Sequence, residues 1–292
     1  MSHTDERSAL RGVRRLFCST AALAMLALSG APGSLSAQRE EAAPPIPTNQ
    51  AIFAPFPMPQ PTEYRTGSGA PGPGYWQQGV GYRIRTSLDP AEHRVTGSEV
   101  ITYTNNSPDA LDYLWLQLDQ NLFAPGSRGA LVNSGTRWRG AFEGGGDRLR
   151  SVALVRDGRR SEAKYLIDGT RMQIRLDQPL AAHGGQLQIA VEWSFVVPEY
   201  GADRMGRLEG ADGWVYEVAQ WYPRMFVYDE VEGWNPMPYI GQGEFYLEYG
   251  DFDVEITVPR DVIVMASGEL SNPGEVLTAE QRSRLERART SE

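Results

Sequence analysis

Beyond residue 75, short stretches in which apolar and polar residues alternate follow one another at intervals of about ten residues. Side chains on a strand point to opposite faces in turn, so each stretch offers one face to a core and one to water. The runs are "YRIRTSL" (82–88), "RVTGSEVITYTNN" (94–106), "YLWLQL" (113–118), "SVALVRDG" (151–158), "AKYLIDG" (163–169), "RMQIRLDQPL" (171–180) and "GQLQIAVEWSFVVP" (185–198). "DFDVEITVP" (251–259) and "DVIVMASGEL" (261–270) read as two more strands, parted at Pro259. Asp-Gly at the tips of "RDG" and "IDG" supplies the left-handed residues that tight hairpins need. "LDPAEH" reads as a turn because Pro90 follows Asp89. Long amphipathic helices do not alternate with these strands, which excludes a doubly wound fold. The expected fold is all-β: an antiparallel sandwich or saddle-shaped sheet.

Punctuation at both ends divides the chain. Arg11, Arg14 and Arg15 precede the apolar run "LFCSTAALAMLALSGA" (16–31), the layout of a secretory signal cut after Ala37, with Leu35 an imperfect residue at the minus-three position. An uncleaved anchor fits less well, because the run is shorter than the ~20 residues of a membrane span. The chain is therefore expected to be exported, to a periplasmic or extracellular address, with no stable span after cleavage. Residues 38–74 are rich in Pro and Gly and read as a disordered linker or a wrapping arm that Phe53, Phe56 and Met58 could pin. A β-domain follows at 75–276. Residues 277–292 read as one short surface helix, with Thr278 and Gln281 at capping-box spacing and a thin apolar face of Leu277, Leu285 and Ala288. The sequence stops within that element, which reads as a truncation.

Residue counts remove several chemistries. The only cysteine, Cys18, lies in the signal behind Phe17, which does not suit a lipidation site, so cleavage leaves no thiol for a disulfide, a nucleophile or a thiolate metal site. The net charge of -9 becomes -11 once residues 1–37, with four Arg, one Asp and one Glu, are removed. No basic stripe is present, which argues against nucleic acid as partner. Two histidines remain, His93 and His183, each in an expected turn and neither spaced to form a helical zinc pair. A nucleophile elbow G-x-S-x-G is missing, and Gly144 to Gly146 lack the strand before and the Lys-Ser/Thr after that a phosphate cradle needs. Asp251, Asp253 and Glu255 alternate and share one face, read as solvated.

The densest stretch is "EVAQWYPRMFVYDE" (217–230). Together with "YRIRTSLDPAEHRVTGSEVITYTNNSPDALDYLWLQLDQNLF" (82–123) and "YLEYGDFDVEITVPRDVIVMASGEL" (246–270), it resembles the N-terminal β-domain of the gluzincin zinc aminopeptidases, the family of aminopeptidase N and leukotriene hydrolase. Gly97, Glu99 and Ile101, then Leu114, Leu116 and Leu118, fit that domain's early strands. Trp221, Tyr222 and Pro223 match its aromatic-Pro element, and Asp229 and Glu230 its acidic pair. Arg224 stands where the family has Cys or Ser, and about three extra residues precede the acids, a variant that looks like a divergent secreted bacterial branch. The resemblance covers about 75–270.

The resemblance implies a peptidase whose zinc, held by H-E-x-x-H and a distant Glu, and whose G-x-M-E-N motif lie in a later catalytic domain. Neither motif occurs here. It therefore implies a non-catalytic front piece that binds no zinc itself and acts on peptide N-termini when joined to its catalytic domain. It further implies an exposed apolar face at 220–226 where that domain docks. A family glutamine binds the substrate amine; Gln220 is the candidate on chemistry, an amide beside aromatic walls, although the family register falls at Asp212. Two other readings stay open: a secreted β-sandwich binding module using Trp76, Trp138 and Trp234 on carbohydrate or peptide, and an inactive homologue acting as a scaffold.

Overall fold

The computed structural model describes residues 60–132, 145–199, 204–241, 243 and 245–291. The expected signal, Phe53, Phe56, Met58, Trp138 and Phe142 lie outside the described residues. What is described belongs to one unit, Met58–Glu292.

Alternation becomes layering in the order the sequence lays down. The strands are β1 (Gly79–Asp89), β2 (Arg94–Asn105), β3 (Leu111–Gln117), β4 (Arg148–Arg156), β5 (Arg159–Glu162), β6 (Lys164–Asp168), β7 (Arg171–Leu180) and β8 (Gly185–Val196). Then come β9 (Met205–Gly210), β10 (Gly213–Val218), β11 (Arg224–Met225), β12 (Tyr228–Asp229), β13 (Gly233–Trp234) and β14 (Asp251–Thr257). One sheet has the order β14-β1-β2-β8-β4-β5, and a second the order β11-β3-β7-β6. The inner faces of both contribute to one core: Tyr82, Ile84, Ile101, Tyr103, Ile189, Val191, Trp193 and Phe195 from the first, Leu114, Leu116, Met172 and Ile174 from the second. This is the expected all-β sandwich, built almost wholly from antiparallel ladders; β1 and β14 pair in parallel.

Turn chemistry explains the connections. Asp157 (φ 51°) and Gly158 (φ 75°) close the β4–β5 hairpin, and Gly169 (φ 58°) closes β6–β7. Between β1 and β2, the Asp89 carboxylate accepts from the Ala91 and Glu92 amides, at 2.9 and 3.3 Å. The last helix, α3 (Ala279–Thr290), follows two short ones, α1 (Arg128–Val132) and α2 (Pro273–Val276). Its Thr278–Gln281 capping box forms in both directions, and it buries no residue.

Several expectations meet the structure here. Residues 261–270 form no strand: Ile263, Val264 and Met265 are exposed, and among the described residues no neighbouring strand pairs with them. Of 38–74, expected as a disordered linker or a wrapping arm, the described part 60–74 is folded back on itself by a bridge between Arg65 and Pro71 and is tied down where Arg65 pairs with Glu230, as an arm would be. His93 is no exposed loop residue, because its Nδ1 lies 2.7 Å from the Tyr216 hydroxyl and its ring meets Trp214 edge-on. His183 is exposed in its turn, as expected. The β9–β10 hairpin was not among the expected strands, although "MGRLEGADGWVYEV" carries Asp212-Gly213 at its tip; only its first two residues are fully buried.

Candidate functional site: the aromatic-proline corner

After β10 the chain turns through 219–223 and re-enters the second sheet as β11, which pairs with β3. The turn is held from several sides. Gln220 has φ 52°, a left-handed conformation uncommon outside glycine, and its carbonyl accepts from the buried Gln120 amide at 2.8 Å. One residue on, the Trp221 carbonyl accepts from the Trp193 indole at 3.0 Å. Trp193 is fully buried and lies so close to Gly97 that a β-carbon there would meet the ring at 2.4 Å. Two parts of the recognised pattern, Gly97 on β2 and Trp221 at the corner, are thus joined through one indole.

Below the corner is a concentration of buried polar groups. The Asp119 carboxylate, 1% exposed, accepts from Arg224 Nε at 2.9 Å and Nη2 at 2.7 Å, and from the Gln117 amide. The guanidinium lies 4.5 Å above the Phe245 ring. Among the described residues, Asp147 keeps one carboxylate oxygen without a hydrogen bond, and Glu99 keeps both so. Burial pushes Asp119 up, with Arg224 opposing it. Burial pushes Glu99 and Asp147 well above the ordinary carboxylate range, and negative neighbours add to this, Asp147 for Glu99 and Asp119 for Asp147. Burial also raises Tyr222 to about 12, which keeps its hydroxyl protonated. The Tyr82 hydroxyl accepts from the Met225 amide at 3.0 Å and so fastens one sheet to the other.

The arrangement fixes a shape. Pro223, Met225 and Phe226 are buried, while Gln220, Trp221 and Tyr222 are half-buried. The exposed apolar face expected at 220–226 is therefore not there; these side chains complete the sandwich core. Gln220 does reach the surface, and among the described residues its side-chain amide makes no hydrogen bond. Asp229 accepts from the Val231 and Glu232 amides, from Asn235 and from the Tyr246 hydroxyl, so it braces the next turn. Among the described residues no group of three His, Cys, Asp or Glu could hold a metal ion. Of the proposed ligand-stacking tryptophans, Trp76 and Trp234 pack on Tyr228, at 5.7 and 5.2 Å between rings.

Glu99 as a buried acid could have been found in the sequence, because Val95, Gly97, Glu99, Ile101 and Tyr103 share one parity in "RVTGSEVITYT" and four of those five are core residue types. The Asp119–Arg224 pair left no such signal, since its partners are distant in sequence and join only when β11 docks on β3.

Fold and corner define a class: an all-β sandwich domain whose second sheet is sealed by a polar-braced aromatic-proline turn. Among solved structures, it is similar to an M1 zinc metallopeptidase from Deinococcus radiodurans. The match is 17% identical with a TM-score of 0.36, and covers 68% of this chain and 36% of that one. A variant of that enzyme bound to a Tyr-Ser-Ala substrate matches at 16% identity and a TM-score of 0.36, over 69% and 37%. A two-domain M1 zinc metallopeptidase variant bound to L-tryptophan matches at 13% identity and a TM-score of 0.33, over 69% and 39%. This chain spans little more than a third of the length of those proteins. No protein-family model matches the sequence, and no curated protein matches it.

Proposed function

We propose that this chain is the N-terminal, non-catalytic β-domain of an exported zinc aminopeptidase of a divergent secreted bacterial branch, and that it shapes one wall of the cleft in which a catalytic domain trims peptide N-termini. The observation that carries the reading is the link from Gly97 through Trp193 to Trp221. It gives a physical reason for a small residue in an early strand to occur with an aromatic-Pro element more than a hundred residues later. Zinc would be held by the catalytic domain. Gln220, whose side-chain amide makes no hydrogen bond among the described residues, is the residue we assign to accept from a substrate ammonium.

Two experiments test this. Residues 38–292, purified and offered an aminoacyl-anilide with zinc, should give no turnover; turnover abolished by a chelator overturns the reading. In the longer gene product H-E-x-x-H should follow, and Gln220→Ala there should raise KM for peptides with a free N-terminus far more than for N-acetylated ones. Equal effects on both would remove Gln220 from substrate binding.

A further inference from the structure

β6 is the last strand of the second sheet, and among the described residues no strand lies on its far side. All of its residues, Lys164–Asp168, are exposed. Its register with β7 sets Tyr165 beside Ile174 and Ile167 beside Met172. Ile174 and Met172 are 0% exposed, whereas Tyr165 and Ile167 are 42% and 41% exposed, and Leu166, on the opposite face, is 62% exposed. The core face of this sheet thus continues onto an edge that no described element covers. Both ends of that edge are closed. The Ala163 amide already donates to the Val152 carbonyl at 2.9 Å, and the Gly169 carbonyl already accepts from the Asn121 side chain at 2.9 Å. Asp168 and Arg171 close the tight β6–β7 hairpin, and hydrogen bonding alternates along an antiparallel ladder. The backbone groups of Lys164, Leu166 and Asp168 therefore face β7, and those of Tyr165 and Ile167 face outward. An unpaired edge of this kind is a template for a further strand.

The residues of the edge, "KYLID", specify its partner. Antiparallel pairing with a second copy about a two-fold axis through Leu166 sets Lys164 opposite Asp168, Tyr165 opposite Ile167 and Leu166 opposite itself. Each charge meets its opposite, and the apolar residues of the two core faces meet across the seam. The outward amides and carbonyls of Tyr165 and Ile167 then pair reciprocally, in roughly four backbone hydrogen bonds. Other registers lose these matches. An axis through Tyr165 or Ile167 sets a charged residue opposite Leu166, and an axis between residues sets the core face of one copy against the outer face of the other. In-register parallel pairing opposes each charge to itself. The present partners of the two charges do not compete: Lys164 meets Asp177 at 2.6 Å, both side chains being more than two-thirds exposed, and Asp168 meets Arg171. Exposed pairs of this kind contribute little. Dimer contacts would join them into a row of alternating sign, Asp177 and Lys164 from one copy, then Asp168 and Arg171 from the other.

We propose that β6 is a homodimerisation strand: Lys164–Asp168 pairs with the same segment of a second copy, antiparallel about Leu166, and joins the two second sheets into one continuous sheet. The seam is short, and stable interfaces bury about 1,200–2,000 Å², so the association is weak and concentration-dependent. It forms at the edge of the sheet away from β11, so the aromatic-proline corner stays uncovered in the dimer.

The test is a charge-reversal cycle on the whole 292-residue chain, read by sedimentation equilibrium. From about 1 μM to about 1 mM the native chain should pass from monomer toward dimer. The Tyr165 and Ile167 amides should exchange more slowly in the dimer, and the Leu166 and Asp168 amides, already facing β7, should not change. Lys164→Asp and Asp168→Lys, each alone, oppose like charges at both ends of the seam and should weaken dimerisation about tenfold or more. Mixed in equal amounts, the two variants again oppose Asp to Lys at both ends and should associate within about threefold of the native chain. Recovery in the mixture also shows that neither variant has misfolded. A native chain that stays monomeric over that range overturns the proposal, as do single variants that dimerise like it or a mixture that stays monomeric. Association through the apolar run 16–31 would be blind to the reversals and counts against it. No outcome bears on the peptidase reading, which rests on the corner at the other edge of the sheet.

Discussion

Gly97→Ala tests the connection on which the corner depends. The backbone at Gly97 is ordinary strand, paired with Thr86 on one side and Trp193 on the other, so an alanine there carries no conformational penalty of its own. Its methyl, however, would lie 2.4, 2.7 and 2.8 Å from three atoms of the Trp193 ring. That ring is 1% exposed and its indole nitrogen is engaged by the Trp221 carbonyl, so it has nowhere to go without leaving that bond. Overpacking of this kind costs about 1–3 kcal/mol, and loss of the hydrogen bond adds about 1 kcal/mol. The expected destabilisation is about 2–4 kcal/mol by urea unfolding, or a thermal midpoint lower by roughly 4–16 °C for a domain of this size. Gly81→Ala is the control: its β-carbon would enter open space, so it should be neutral or slightly stabilising. If the two variants unfold alike, Trp193 is not wedged between β2 and the corner, and the argument from Gly97 to Trp221 fails.

Other outcomes follow from the buried charges. Arg224→Met leaves the Asp119 carboxylate with the Gln117 amide as its remaining side-chain partner and should cost about 3–5 kcal/mol, read by urea unfolding at neutral pH; a loss under 1 kcal/mol would show that the pair is not sequestered. Glu248, raised by burial to about 7, binds its proton in the folded chain at pH values where the unfolded chain has released it. Stability should therefore fall as pH rises from about 4.5 through 7, by about 2–3 kcal/mol. Glu248→Gln should remove that contribution and flatten the profile, since an amide oxygen can still accept from the Tyr228 amide; an unchanged pH profile would count against it. Glu99→Gln should likewise raise stability above pH 5 and leave it unchanged in acid, where the carboxyl is protonated in both states, as followed by thermal unfolding across pH. A loss at all pH values would show that the carboxyl has partners in solution.

Local chemistry reached the surface of this protein further than its interior. Each long alternating run before residue 200 became a strand, because period two and burial of one face are properties of the run itself. The hairpins at Asp157-Gly158 and Gly169 and the cap at Thr278 were equally local. "DVIVMASGEL" has the composition of a strand and is none, because a strand exists only where a neighbour offers its backbone, and sequence composition says nothing of neighbours. For the same reason 220–226, rich in aromatics, was expected as an apolar face and is instead the seal of the core. Uncovered apolar surface lies instead at sheet edges, on β6 and β14.

The sequence by itself determined which residues face inward, where the chain reverses, and that Cys18 is the only thiol. Only the tertiary structure decided that Asp119 meets Arg224, that Glu99 is buried and Asp147 half-buried without full pairing among the described residues, and that Trp193 ties Gly97 to Trp221. Facing and turning are set by interactions within a few residues. The pairings are set by which strands lie side by side, and that is a property of the whole packed chain.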